Sequence, residues 1–107
     1  MFIIEDDVLY LTRGDTAYLN VALQDADGEA LDGTAAITFS CKKNVKDENY
    51  AFQCFCNYPE QIKIKPEQTK ELKYGKYLYD IQVTMDNGDI FTIVSGPIYI
   101  KEEITNE

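Results

Sequence analysis

Three cysteines, Cys41, Cys54 and Cys56, carry the thiols in a chain that contains no histidine. In an extended strand the two thiols of Cys54-Phe55-Cys56 point to one face with Cα atoms about 6.5–7 Å apart, at or beyond the reach of a disulfide. As metal ligands they lack a fourth partner, and one intervening residue is fewer than the two to four that structural zinc sites use. The expectation is three reduced thiols packed as small hydrophobes. Oxygen donors are more plentiful. Asp25, Asp27 and Glu29 stand at alternate positions around Gly28, as ligands do in calcium loops, but a third Asp or Asn and the closing bidentate Glu are missing. Asp86-Asn87-Gly88-Asp89 has the same character. Side-chain-to-backbone hydrogen bonds of ordinary turns account for both. Neither a metal nor a cofactor is expected.

Catalytic constellations are missing as well. Without His, no Ser or Cys has the usual base to activate it. The 19 acidic residues guarantee chance carboxylate pairs, so proximity of two acids points to no acid/base machinery. The six glycines are scattered among turns instead of forming a phosphate loop. The chain therefore reads as non-enzymatic. Ten Lys+Arg against those acids leave a formal charge of −9, which repels phosphate and argues against nucleic acid and anionic membrane as partners. The Phe2-Ile3-Ile4 run is too short for a signal peptide or a membrane span. An odd, small number of cysteines fits synthesis in a reducing cytoplasm. Arg13-Gly14-Asp15 spells a tripeptide read by integrins, but a tight turn is the expectation.

The elements that would position any site follow from a period of two. Leu19, Val21 and Leu23 alternate with polar neighbours over 17–23, and Ile37, Phe39 and Cys41 do the same. Tyr77, Tyr79, Ile81, Val83 and Met85 form the longest series, with Leu78 its only exception. Each series predicts a strand with one face in the core and one in water. Shorter strands are expected over 8–12, 52–56, 61–65, 90–95 and 98–101. Asn87-Gly88 is the strongest hairpin signal, because both residues tolerate positive φ. Gly96-Pro97 is expected to bend one strand into the next. The polar stretch 43–50 reads as a loop, and Pro66 followed by good helix formers reads as a helical turn over 66–72.

Such a pattern across 107 residues predicts a single all-β domain spanning 1–107. Its fold class is an immunoglobulin-like antiparallel β-sandwich of seven to eight strands with one short helical turn near residues 66–72. At this length about two-thirds of the unfolded chain's surface is buried, and 45% hydrophobic residues are enough to fill the core. Residues 102–107 read as a solvated, frayed tail. Tyr77 is placed to form the tyrosine corner of such sandwiches, with Tyr79 where the second core cysteine usually stands.

Eight tyrosines and five phenylalanines without a Trp are a separate signal. Tyr10, Tyr18, Tyr50, Tyr58 and Tyr74 fall outside evident core positions. Exposed, they suit a protein or sugar contact surface; as cross-strand pairs they merely cover a solvated sheet face. The sheet edges are the other candidate, with Phe2, Ile3 and Ile4 and the last strand, ending at Lys101, as the segments that would add to a neighbour. Phe2, Ile3, Ile4, Tyr18 and Tyr50 are thus the expected partner interface.

The ordered blocks Arg13-Gly14-Asp15-Thr16, Leu23 through Glu29, Leu31 through Phe39, Pro66-Glu67-Gln68-Thr69, Gly75 through Ile81, and Thr92 through Ile98 carry a resemblance. The chain is similar to small phage and prophage virion domains, in particular the immunoglobulin-like domain at the N-terminus of phage baseplate upper proteins. Cys54-Phe55-Cys56 has no counterpart in that pattern. The resemblance implies a scaffold of the tail, baseplate, neck or head surface, made in the bacterial host cytoplasm and residing in the virion. Its partners would be other virion proteins or copies of itself in a homo-oligomer. The competing expectation is an immunoglobulin-like binding module for carbohydrate or a cell-surface protein.

Overall fold

The computed structural model describes residues 2–5 (backbone course only), 7–24, 27–31 and 33–104. Eight strands and one helical turn follow in the order β1 (Phe2–Glu5), β2 (Val8–Thr12), β3 (Ala17–Leu19), β4 (Ala35–Lys42), β5 (Phe52–Tyr58), β6 (Ile62–Ile64), α1 (Pro66–Thr69), β7 (Gly75–Thr84) and β8 (Ile90–Lys101). The strands form a six-stranded sheet ordered β1-β2-β8-β7-β4-β5 and a two-stranded sheet, β3-β6. The fold is an all-β, sandwich-like one. Strands β8, β7 and β4 lie inside the larger sheet, with β2 and β1 beyond β8 and β5 beyond β4.

Alternation translates directly into layers. Ile37, Phe39 and Cys41 of β4 and Tyr77, Tyr79, Ile81 and Val83 of β7 are buried on the inner face of the larger sheet. They meet Leu19, Ile62 and Ile64 of the smaller sheet in one hydrophobic core. Phe39 lies at its centre, fully buried and stacked on Tyr79 at 5.4 Å and on Phe52 at 5.8 Å between ring centroids. Aromatic stacking of this kind adds about 0.5–1.5 kcal/mol beyond the area buried.

The corner before β7 forms as the residues imply. Pro66 opens α1, and the Gln68 side chain accepts from the Lys65 N–H at 2.8 Å, satisfying a free first-turn donor. The Tyr77 hydroxyl then donates to the Lys73 carbonyl at 2.9 Å, which is the hydrogen bond of a tyrosine corner.

Several expectations need correction. The sheet is mixed, because β2 runs parallel to β8, so the sandwich is not wholly antiparallel. The strand expected over 17–23 stops at Leu19, and beyond it only a single bridge, Gln24 to Ala30, continues the pairing. Gly96-Pro97 does not divide two strands; β8 runs unbroken from Ile90 to Lys101. The end of β8 is no edge, since β2 flanks it on one side and β7 on the other. Among the described residues the outer strands of the larger sheet are β1 and β5. The Phe2–Ile4 backbone is already paired, in antiparallel register with Leu9–Leu11; the side chains of Phe2, Ile3 and Ile4 lie outside what is described. The tail is also less free than expected. Arg13 grips Glu103 through two hydrogen bonds of 2.8 and 3.1 Å, and its remaining guanidinium nitrogen donates to the Leu72 carbonyl at 3.1 Å.

Candidate interaction surface

Two surfaces of the larger sheet stand out once side chains are placed. The first is a shallow concavity of about 400 Å³ on its outer face. Its lining is mixed: Ser40 and Lys42 come from β4, Leu78, Asp80 and Gln82 from β7, and Ser95 from β8, with Val45 and Tyr50 beside them. Register explains the convergence. Asp80 pairs across to Ser40 on one side and Ser95 on the other, so outward-facing residues of three strands meet around one carboxylate. Partial burial pushes the Asp80 carboxyl up from its ordinary range, while Lys42 pulls it back. Lys42 donates to the Asp47 carbonyl at 2.7 Å and sits 4.9 Å over the Tyr50 ring. This arrangement offers a few convergent hydrogen-bonding groups among apolar ones and an aromatic wall, the chemistry of a small amphipathic ligand such as a sugar.

The second surface is the end of the β7–β8 hairpin. The hairpin projects beyond β2, which pairs with β8 only over Ile98–Lys101. The molecule measures 45 × 28 × 24 Å and its radius of gyration is 14.5 Å, against about 13 Å for a compact domain of this length. On this arm Ile90, Phe91 and Ile93 are 63%, 54% and 43% exposed. Phe91 shares the inner face with Val83, its partner in register, but lies past the end of the core; Ile90 pairs with Thr84 on the outer face. A bulge places Ile93 between the pairs Ile81–Val94 and Gln82–Thr92. The sequence carried a signal that the period-two reading passed over. Adjacent apolar pairs, Ile90-Phe91 and Ile93-Val94, cannot all face one side of a strand.

Among the described side chains, the predicted interface tyrosines Tyr18 and Tyr50 do not come together. Tyr18 is exposed on β3 of the smaller sheet, with Lys63 5.7 Å from its ring. Tyr50 borders the concavity on the other sheet. Tyr10 and Tyr99 stack at 5.4 Å across the β2–β8 pair, so there the cross-strand reading of the tyrosines holds. Tyr58 packs against the core, and Tyr74 lies 4.2 Å beneath the Arg13 guanidinium. The aromatic residues thus form several local contacts instead of one patch.

Tyr79 is buried where it was expected, and its hydroxyl donates to the Asp7 carbonyl at 2.6 Å. The Asn87-Gly88 turn also forms, but only Gly88 takes positive φ, at 93°. Asn87 contributes through its side chain, whose Oδ1 accepts from the Asp89 N–H at 2.9 Å. The Gly88 N–H donates to the Met85 carbonyl at 2.9 Å and closes the turn.

The cysteines are free thiols. Cys41 and Cys54 are buried and Cys56 is half-buried. Burial pushes the Cys41 thiol up to about 12, so it stays protonated and inert at neutral pH. Among the described residues no group of three or more Cys, Asp or Glu side chains is arranged to hold a metal ion. Asp25, half of the calcium-like pair, lies outside the described residues, and Asp27 is exposed. The Arg13-Gly14-Asp15 segment makes a turn, with the Asp15 N–H donating to the Thr12 carbonyl at 3.1 Å. Among the described residues no helix is long and apolar enough to cross a membrane.

Comparison of the chain with known protein families, with curated proteins and with solved structures finds no significant match.

Proposed function

We propose that this chain is a non-catalytic structural domain of a phage virion, acting through protein–protein contacts in a tail, baseplate, neck or head assembly. The virion assignment rests on the ordered residue blocks from Arg13-Gly14-Asp15-Thr16 to Thr92–Ile98. The observation that carries the contact role is the exposure of Ile90, Phe91 and Ile93 on the projecting hairpin. Three large apolar side chains left in water on the two faces of one short arm mark it as a place for a partner to cover. Phe55, 70% exposed on outer strand β5, adds a second apolar point at the opposite margin of the sheet.

Purified particles released by the producing bacterium after prophage induction test this reading. The chain should be present at a fixed copy number per particle and should resist removal by salt washing. Its recovery only as free protein would overturn the proposal.

A second reading, a carbohydrate-binding module, is favoured by the concavity around Asp80, with Lys42, Gln82 and Tyr50 as its donors, acceptor and aromatic wall. Glycan-array binding abolished by Tyr50→Ala but not by Tyr18→Ala would support it, because Tyr18 lies on the other sheet.

A further inference from the structure

The open side of β8 between its turn and the point where β2 begins has the properties of a docking rail. From Ile90 to Pro97 β8 pairs with β7 on one side, and no described strand flanks the other. A strand directs alternate N–H and C=O groups to each side, so this stretch, up to Ser95 where Asp7 begins to cover it, presents main-chain groups to water. Sheet edges left in this way are normally guarded by charged side chains. Here the eight residues Ile90 through Pro97 carry no charge. The facing residues of β7, from Leu78 to Thr84, carry a single charge, Asp80 opposite Ser95. Further carboxylates stand at the two ends. Asp86 and Asp89 are exposed in the turn, and exposed Asp7 lies where its carbonyl abuts Gly96.

We infer that this open edge of β8 is a strand-addition site for an extended segment of a partner protein. The segment is about six residues long, matching roughly 20 Å of strand, apolar or β-branched in its centre, with Lys or Arg at both ends. Main-chain pairing supplies affinity in this mode, and side chains on alternate positions supply selectivity. The carboxylates at both ends select the basic flanks, in keeping with the −9 charge of the chain. They also disfavour a second copy of this chain, because antiparallel pairing of two such edges sets acidic ends against acidic ends. The inference rests on the contact role proposed above and adds to it the site and the chemistry of the partner.

The test uses a capped peptide, Lys-Lys-Val-Thr-Val-Thr-Val-Thr-Lys-Lys, titrated into the isotope-labelled full chain while amide shifts are followed. Binding should perturb the amides of residues 90–96 and leave those around Tyr50 and Phe55 unmoved. Replacing the peptide's lysines by Glu, or N-methylating alternate residues along one of its edges, should weaken binding at least tenfold. The variants Phe91→Lys and Ile93→Lys, both at exposed positions, should do the same while keeping the wild-type spectrum elsewhere. Absence of binding, equal binding of the N-methylated peptide, shifts centred elsewhere, or a concentration-dependent dimer through this edge would each overturn the inference. Incorporation of the Phe91→Lys and Ile93→Lys variants into particles at wild-type copy number would overturn it too, while leaving the structural role itself intact.

Discussion

The hydroxyl of Tyr79 donates a 2.6 Å hydrogen bond to the backbone carbonyl of Asp7, 72 residues away in sequence. The two are brought together at Gly96, Tyr79's partner in the β7–β8 register. A Cβ built at Gly96 would sit 2.7 Å from that same carbonyl oxygen. Asp7, just before β2, therefore rests on β8 at a glycine that leaves room for its carbonyl, and the Tyr79 hydroxyl holds that carbonyl there. The contact also marks the boundary on β8 between the part covered by β2 and the open edge beyond.

Gly96→Ala should destabilise the chain by about 1–3 kcal/mol, the usual cost of forcing atoms into filled space. Tyr79→Phe should cost about 1 kcal/mol through the lost hydrogen bond. Because both act on the Asp7 carbonyl, the double variant should lose less than the sum of the two. Urea denaturation midpoints measure all three; strict additivity would show that the two contacts are independent.

Phe39→Ala should be among the most damaging single changes, at about 3–5 kcal/mol. Phe39 is fully buried and stacks on both Tyr79 and Phe52, so its removal opens a cavity that two rings border. Tyr77→Phe, which deletes only the corner hydrogen bond to Lys73, should cost about 1 kcal/mol. A Phe39→Ala variant with a wild-type melting temperature would contradict the core described here.

Alkylation by iodoacetamide at pH 8 should proceed in the order Cys56, then Cys54, with Cys41 modified only on unfolding. Cys56 is half-buried, whereas Cys41 is fully enclosed and its thiol is pushed up to about 12 by burial. Burial also raises Cys54 and, beside Glu60, Cys56, so all three should react more slowly than free cysteine. Mass spectrometry of timed digests reads the order.

Two carboxyls should pull the pH dependence of stability in opposite directions. The hydrogen bond from Arg13 holds Glu103 below its ordinary 4.5. A lowered folded value means stabilisation present above the unfolded pKa and lost as pH falls through the folded one. Acidification from pH 5 towards 3 should therefore cost the wild type more than Arg13→Met. Asp80 is raised above its ordinary 3.8 by partial burial. Its contribution is present at low pH and is lost as pH rises through the raised value, so Asp80→Asn should be more stable than the wild type at pH 7. Thermal melts across pH 3–7 for the three proteins give both signs.

Much of the architecture was legible because side-chain alternation is local. Ile37, Phe39 and Cys41, and Tyr77 through Val83, declare their buried face through their own spacing, since a strand sends every second residue the same way. The tyrosine corner was legible for the same reason, as Tyr77 and its acceptor Lys73 are four residues apart. The hairpin at Asn87-Gly88 needed only Gly88's tolerance of positive φ. The candidate surfaces were not legible to that extent. Tyr18 and Tyr50 share a residue type but not a sheet, and the concavity depends on the registers that bring Ser40 and Ser95 to either side of Asp80.

By itself, then, the sequence determined an all-β chain, the inward faces of its longer strands, the helical turn at Pro66 and the turn that closes the last hairpin. All of these follow from steric preferences and solvent partition acting over a few neighbouring residues. The tertiary structure alone decided that β3 ends at Leu19, that β8 continues through Gly96-Pro97, and that Arg13 reaches Glu103. It alone decided that β2 lies parallel to β8 and covers only its last third, leaving the stretch before Ile98 without a β2 partner. Strand order and register are settled by which distant surfaces bury each other best, and no short stretch of chain contains both partners of such a contact.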